Sequence, residues 1–180
     1  MAKQRWTIDP MHSEIMFKVK HMLITNVSGT FDVYKASMRA DADDFSDMEF
    51  EFEAEVDSIN TRNSHRDTHL RSNDFFDATN HPTLVCRSRS VKKTGQGSFE
   101  VTADFTIRGV TRMVPLKVEY TGTGLDLYGQ RKAGFEISAQ ITRQEFGLTW
   151  NATTEDGRLA LDDLVHIVIS TQMIKQTKED

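Results

Sequence analysis

Along most of this chain apolar and polar residues alternate with period two instead of recurring every three or four positions, which predicts half-buried strands. Residues 48–57 are the clearest case: Met48, Phe50, Phe52, Ala54 and Val56 fall on one face and five acids on the other. An antiparallel strand with one face on a core and one in water has this pattern. Earlier, Ile15, Phe17 and Val19 point inward from a strand near 12–21, and Tyr34, Ala36, Met38 and Ala40 from one near 30–42. Phe31 and Val33 fall out of phase with Tyr34, so a bulge is expected there. Later inward sets are Leu84, Cys86, Ser88 and Ser90, then Phe99, Val101, Ala103, Phe105 and Ile107, then Val114, Leu116, Val118 and Tyr120. Phe135, Ile137, Ala139 and Ile141, followed by Val165, Ile167, Ile169 and Thr171, complete eight strands. Gly95-Gln96-Gly97, Gly109-Val110-Thr111 and the glycines of 122–129 supply hairpin chemistry between them. Residues 61–77 lack alternation and predict a short helix near 62–76, capped by Thr61 or Asn63 and broken near Ser72-Asn73-Asp74. The polar tail 175–180 is expected to fray.

Eight one-sided antiparallel strands joined by short turns predict an all-β fold, and up-and-down connectivity favours an eight-stranded barrel, which removes its own edges, over a sandwich. A barrel of this size is either filled by its side chains or keeps room for one small ligand. Small mid-strand residues (Ala36, Ala54, Ser88, Ala103 and Ala139) suit a cavity, or space for the phenylalanine rings opposite them, and alternation leaves both readings open. The length of 180 residues fits one domain, 1–180. Only 38% of residues are hydrophobic, yet 11 are Phe, so the apolar matter is sparse but bulky. A net charge of −5 argues against a nucleic-acid binder. No apolar run is long enough to span a membrane as a helix, and Met1-Ala2-Lys3-Gln4-Arg5-Trp6 has no signal-peptide core, so a cytoplasmic chain is expected. The single cysteine, Cys86, excludes an internal disulfide.

Several separated motifs resemble those of the YceI-like family of polyisoprenoid-binding proteins. They are Trp6-Thr7-Ile8-Asp9-Pro10-Met11-His12-Ser13 with Phe17, Val19 and His21; Gly29-Thr30-Phe31; and Ser58-Ile59-Asn60-Thr61 leading into His65-Arg66-Asp67-Thr68-His69-Leu70-Arg71-Ser72-Asn73-Asp74-Phe75-Phe76-Asp77. Phe105-Thr106-Ile107-Arg108-Gly109-Val110-Thr111 and Arg143-Gln144-Glu145-Phe146-Gly147 continue the likeness over residues 6–174. His81 stands before Pro82 where the family usually has tyrosine. The resemblance implies an extended lipocalin-like barrel whose tunnel holds a polyisoprenoid, an isoprenoid quinone or a similar chain, with the protein as carrier, store or sensor. It also implies relatives that are often periplasmic, and a possible homodimer. The inward positions expected to meet such a chain are Phe17, Val19, Tyr34, Met38 and Phe50 in the first half and Phe52, Val101, Phe105, Phe135 and Ile137 in the second. No cofactor is expected besides the lipid.

His65 and His69, four apart on a helix, are the alternative: a metal binder or metal-dependent enzyme, lacking the glutamate beside the first histidine that a zincin has. His12, Arg66, Asp67, Arg71 and Arg143 are expected to form a polar network, with Asp74, that fixes the helix to the barrel; alternatively an arginine fork meets a lipid headgroup. His12 and Ser13 go to opposite faces of a strand and Cys86 faces inward, so catalysis is not expected. A third reading is a filled barrel that presents its acidic strand, with Glu51 and Glu53, to a protein partner. In either case Lys35, Arg39, Arg87 and Arg89 are expected beside those acids.

Overall fold

The computed structural model describes residues 3–177. Its strands are β1 (Gln4–Ile8), β2 (Glu14–His21), β3 (Thr25–Phe31), β4 (Tyr34–Ala40), β5 (Glu49–Glu55) and β6 (Ile59–Asn60), then β7 (Thr83–Gly95), β8 (Ser98–Ile107), β9 (Val110–Leu125), β10 (Arg131–Thr142) and β11 (Leu161–Lys175). One α-helix, α1 (Ser64–Arg71), lies between β6 and β7. The hydrogen-bonded order β1-β4-β5-β7-β8-β9-β10-β11 returns to β1 through the pairs Trp6 with Lys175 and Ile8 with Met173. This is a closed antiparallel barrel, as alternation and turn spacing imply. β2, β3 and β6 continue the β1, β4 and β5 staves after local breaks, which keeps the number of staves at eight.

Each break has a local cause. Asp9 caps a 3-10 turn over Pro10–His12, its carboxylate accepting from the Met11 N–H at 3.1 Å, and Pro10 has no N–H for the ladder. Between β3 and β4 the chain steps out of phase at Asp32 and Val33, where the bulge is expected: Phe31 is buried and Val33 exposed. The third break is the 3-10 turn Val56–Ser58, in which Ser58 Oγ donates to the Glu55 carbonyl at 2.7 Å.

Three strand segments escape the period-two reading, the two-residue β6 among them. β1 is too short to alternate visibly, and β3 carries only Val27 and Phe31 as large apolar residues. In β7 a register shift between Ser88 and Ser90 turns Ser90 outward and lets Val91 pack on the core. The same shift takes Arg89 to Asp104 (2.7 Å), whereas Arg87 meets Glu51 (3.2 Å) and Lys35 meets Glu53 (3.8 Å) as expected. Glu49 pairs with Lys3 at 2.8 Å. The helix expected near 62–76 is the shorter Ser64–Arg71, capped by Asn63, whose side chain accepts from the Arg66 N–H at 2.9 Å; residues 72–80 run on as hydrogen-bonded turns. Lys175 still belongs to β11, and the expected fraying of 178–180 lies outside the described residues. No helix of the described residues is long and apolar enough to cross a membrane.

The barrel has two unlike ends. At one end Trp6, Ala40, Phe45, Phe99 and Ala133 are almost fully buried and fill the interior. At the other end lie α1, the β2–β3 turn, the β8–β9 turn and the segment 143–160. Arg108, in the left-handed region at φ 49°, binds that end together: its guanidinium donates to the Asn73 carbonyl (2.7 Å), the Phe75 carbonyl (2.5 Å) and Asn73 Oδ1 (3.0 Å). Gly109 next to it has φ 73° and the His81 ring packed where a Cβ would stand, at 2.9 Å, so a side chain is excluded twice over.

Candidate functional site

A cavity of about 390 Å³ lies inside the barrel, between the packed end and the helix-covered end. Its depth is walled by Ile8, Met38, Met48, Val118, Phe135 and Met173, and its helix-side rim by Thr61, Arg66, His69, Leu70, Trp150 and Leu161. Phe17, Val19, Phe50, Phe52, Ile137 and Ile167 line it and are only half-buried, although they point into the barrel. A side chain on the inner face of a closed sheet stays accessible only where packing around it is incomplete. Ala36 lines the space, whereas Ala54 and Ala103 are wholly buried and merely make room for neighbours. Both readings of the small residues therefore hold, at different positions.

Of the ten inward positions singled out from the sequence, Phe17, Val19, Met38, Phe50, Phe52, Phe105, Phe135 and Ile137 line the cavity. Val101 is wholly buried between Val91 and Leu116 in the strand register and does not reach it. Tyr34 does not reach it either: its hydroxyl donates to the Ser13 carbonyl at 2.9 Å beside a separate polar recess, because the stave bends between β3 and β4. The alternation missed Phe31, Phe75, Phe76 and Trp150, since three of them lie outside strands. A lone large ring within a polar stretch, as at Trp150, was the available signal.

The five polar residues do not form one network. His12 pairs with Asp9 at 2.8 Å on the outside of the β1–β2 break, where Lys132 also reaches Asp9 at 2.6 Å. Asp67 is buried on α1 and accepts from both the N–H and the hydroxyl of Thr61, which ties the helix to the end of β6. Arg66 donates to Thr61 Oγ1 (2.8 Å) and the Thr61 carbonyl (2.7 Å); among the described residues no carboxylate lies within ion-pair range of it. Arg71 turns away, to the Asp57 carbonyl at 3.3 Å and Thr68 Oγ1 at 3.4 Å. Arg143 is buried under the other side of the rim and donates to the carbonyls of Leu148 (2.6 Å), Trp150 (2.8 Å) and Asp162 (2.9 Å). Burial draws its pKa below the ordinary value, against the pull of Asp163 and Asp162. Its role in the fold is to shape 147–162 into the rim, while helix attachment falls to Arg108 and Asp67, separated from it by sequence and by position.

His69 is committed to Asp74 (2.8 Å) and stands edge-on to Trp150, ring centroids 4.7 Å apart, while His65 is exposed. Among the described residues no three His, Cys, Asp or Glu side chains gather into a metal-holding group. Ser13 Oγ bonds Thr171 Oγ1 at 3.0 Å while His12 faces Asp9, so the adjacent pair shares no proton path. Cys86 sits in the cavity wall with its thiol pushed up to about 12 by burial, assisted by the Asp104 charge.

The family model of the YceI-like domain matches residues 6–173. A UPF0312 protein of Staphylococcus epidermidis is 30% identical over 169 residues, covering 93% of this chain and 96% of its own. The crystal structure of Burkholderia cenocepacia BcnA superposes with a TM-score of 0.79 at 19% identity, over 92% of this chain and 98% of its own. A polyisoprenoid binding domain from Saccharophagus degradans, implicated in plant cell wall breakdown, superposes at 0.67 with 13% identity, over 95% and 98%.

Proposed function

This chain belongs to the YceI-like family, and from that premise we propose that its barrel binds the hydrocarbon chain of an amphipathic lipid, such as a polyisoprenoid or an isoprenoid quinone, as a carrier or store and not as a catalyst. The observation that carries the reading is the cavity itself: about 390 Å³ inside the barrel, lined almost wholly by aliphatic and aromatic side chains, of which Phe17, Val19, Phe50, Phe52, Ile137 and Ile167 remain only half-buried. A hydrocarbon chain gains roughly 0.8 kcal/mol for each buried methylene-sized group, so one five-carbon prenyl unit contributes on the order of 3–4 kcal/mol before ordering costs. The deep wall is apolar. Thr61, Arg66 and His69 stand at the rim, so the chain enters tail first and its polar end stays beside the Arg66 guanidinium. Walls of this kind discriminate weakly between prenyl and acyl chains. The Saccharophagus degradans polyisoprenoid binding domain, which shares the fold, supports the reading. The inertness of Cys86 and the divergence of His12 from Ser13 favour binding over catalysis.

Displacement of an environment-sensitive apolar dye, 1-anilinonaphthalene-8-sulfonate, by farnesol tests the proposal. Ala36→Trp puts an indole into the cavity and is expected to weaken dye and farnesol binding at least tenfold while the protein stays folded. Equal binding by the folded variant and the wild type would overturn it.

A further inference from the structure

We propose that Phe45 sets the length of chain that the cavity accepts; this rests on the reading of the cavity as a lipid site. The cavity ends at Met38, Met48, Phe135 and Met173, and behind that wall stands the Phe45 ring. Its centroid lies 5.4 Å from Trp6, 5.0 Å from Tyr120 and 5.2 Å from Phe135, so it occupies the axis of the packed end. Those three neighbours are fixed on β1, β9 and β10, whereas Phe45 comes from the loop between β4 and β5. The stopper is therefore supplied by a loop, and its size can change without altering any strand register.

The loop is built to present this ring inward. Phe45 has φ 60°, a left-handed conformation that a bulky residue adopts at a cost, and yet its residue is 5% exposed. The Asp47 carboxylate accepts from the N–H groups of Asp41 (3.1 Å) and Ala42 (3.0 Å), and Phe45 closes its own turn by donating to the Ala42 carbonyl at 2.9 Å. Lys3 donates to the Asp47 carbonyl at 2.9 Å, and Asp44 pairs with Lys93 at 2.8 Å. The loop is tied to β7 and to the residue before β1, and between those ties the ring has no route outward. Met48 separates the ring from the cavity on one side, and a thioether side chain adapts readily to a new neighbour. Removing the ring leaves a void behind Met48 and Phe135 into which a longer chain tip extends.

The test is the chain-length profile of bound lipid, read by native mass spectrometry after delipidated protein is given an equimolar series of straight-chain fatty acids from laurate to lignocerate. Phe45→Ala is expected to move the most-occupied length upward by about four carbons, the order of the ring removed. Phe45→Leu, which keeps a smaller apolar plug and so a packed end, gives a smaller shift of the same sign and stands in should the alanine variant fail to fold. An unchanged profile in either folded variant overturns the gauge while leaving the lipid site standing. No uptake of any fatty acid by wild type or variants overturns both.

Discussion

Asp9 shows how much one side chain organises here. It ends β1, caps the following turn, and lies buried with its carboxylate shared between Lys132, His12 and the Met11 N–H. Burial pushes its pKa up, but the hydrogen bonds from Lys132, His12 and Met11 outweigh it and hold the carboxyl below its ordinary value of 3.8. A group depressed in the folded state stabilises above the unfolded value and loses that contribution as pH falls through the folded value. Asp9→Asn is therefore expected to lower stability at neutral pH by about 1–3 kcal/mol, since Lys132 is left without its short partner. The loss relative to wild type should shrink as pH drops below about 4. Urea unfolding at neutral and acid pH checks both; a difference that is constant with pH would mean that the carboxylate charge contributes nothing.

Among the elements, the meeting of β2, β3 and the start of α1 is the most constrained. A Cβ on Gly29 would stand 2.6 Å from Phe17 Cζ and 2.8 Å from Thr61 Cγ2. Thr61 is held by Asp67 and Arg66, whereas Phe17 borders the cavity, so Phe17 is the neighbour that yields. Gly29→Ala is expected to destabilise the fold by about 1–3 kcal/mol and to weaken dye binding as the Phe17 ring is displaced into the cavity, measured by denaturant unfolding and by dye titration. Unchanged values in both would show that the contact relaxes at no cost. The sequence points to this junction through Gly29-Thr30-Phe31 and through Asn63 as a cap, but not to its mechanism. Asp67 holds Thr61 at one end of the helix and Arg108 reaches the Asn73 and Phe75 carbonyls beyond the other, and no period along a strand encodes such contacts. The inward faces were legible because alternation is a property of each strand alone. Tyr34 and Val101 do not line the cavity because whether an inward residue meets a void or a neighbour depends on the opposite wall; at the bend before β4 Asn60 donates to Asp32 at 3.0 Å.

For the molecule as a whole, the closed sheet explains the unusual pairing of 38% hydrophobic residues with 11 Phe. Half of each stave faces water, and the rings on the inside serve two purposes: Phe45 and Phe99 help fill one end of the interior, while Phe17, Phe31, Phe50, Phe52 and Phe105 help wall the part that stays open. The barrel was legible from eight alternating runs with short turns, whereas the cavity was not, because small residues serve equally to make a void (Ala36) and to admit a ring (Ala54, Ala103). The candidate polar residues likewise read as one network in the sequence and divide into three separate supports in space, at Asp9, α1 and Arg143. An interior left open by its own side chains is expected to be occupied by a ligand of matching polarity. Native mass spectrometry of the purified protein, before and after delipidation and re-exposure to ubiquinone or solanesol, tests this most directly. The account predicts one lipid for each chain, lost on delipidation and regained from either compound by the wild type but not by Ala36→Trp; a bare mass throughout, with no uptake of either lipid, would contradict it.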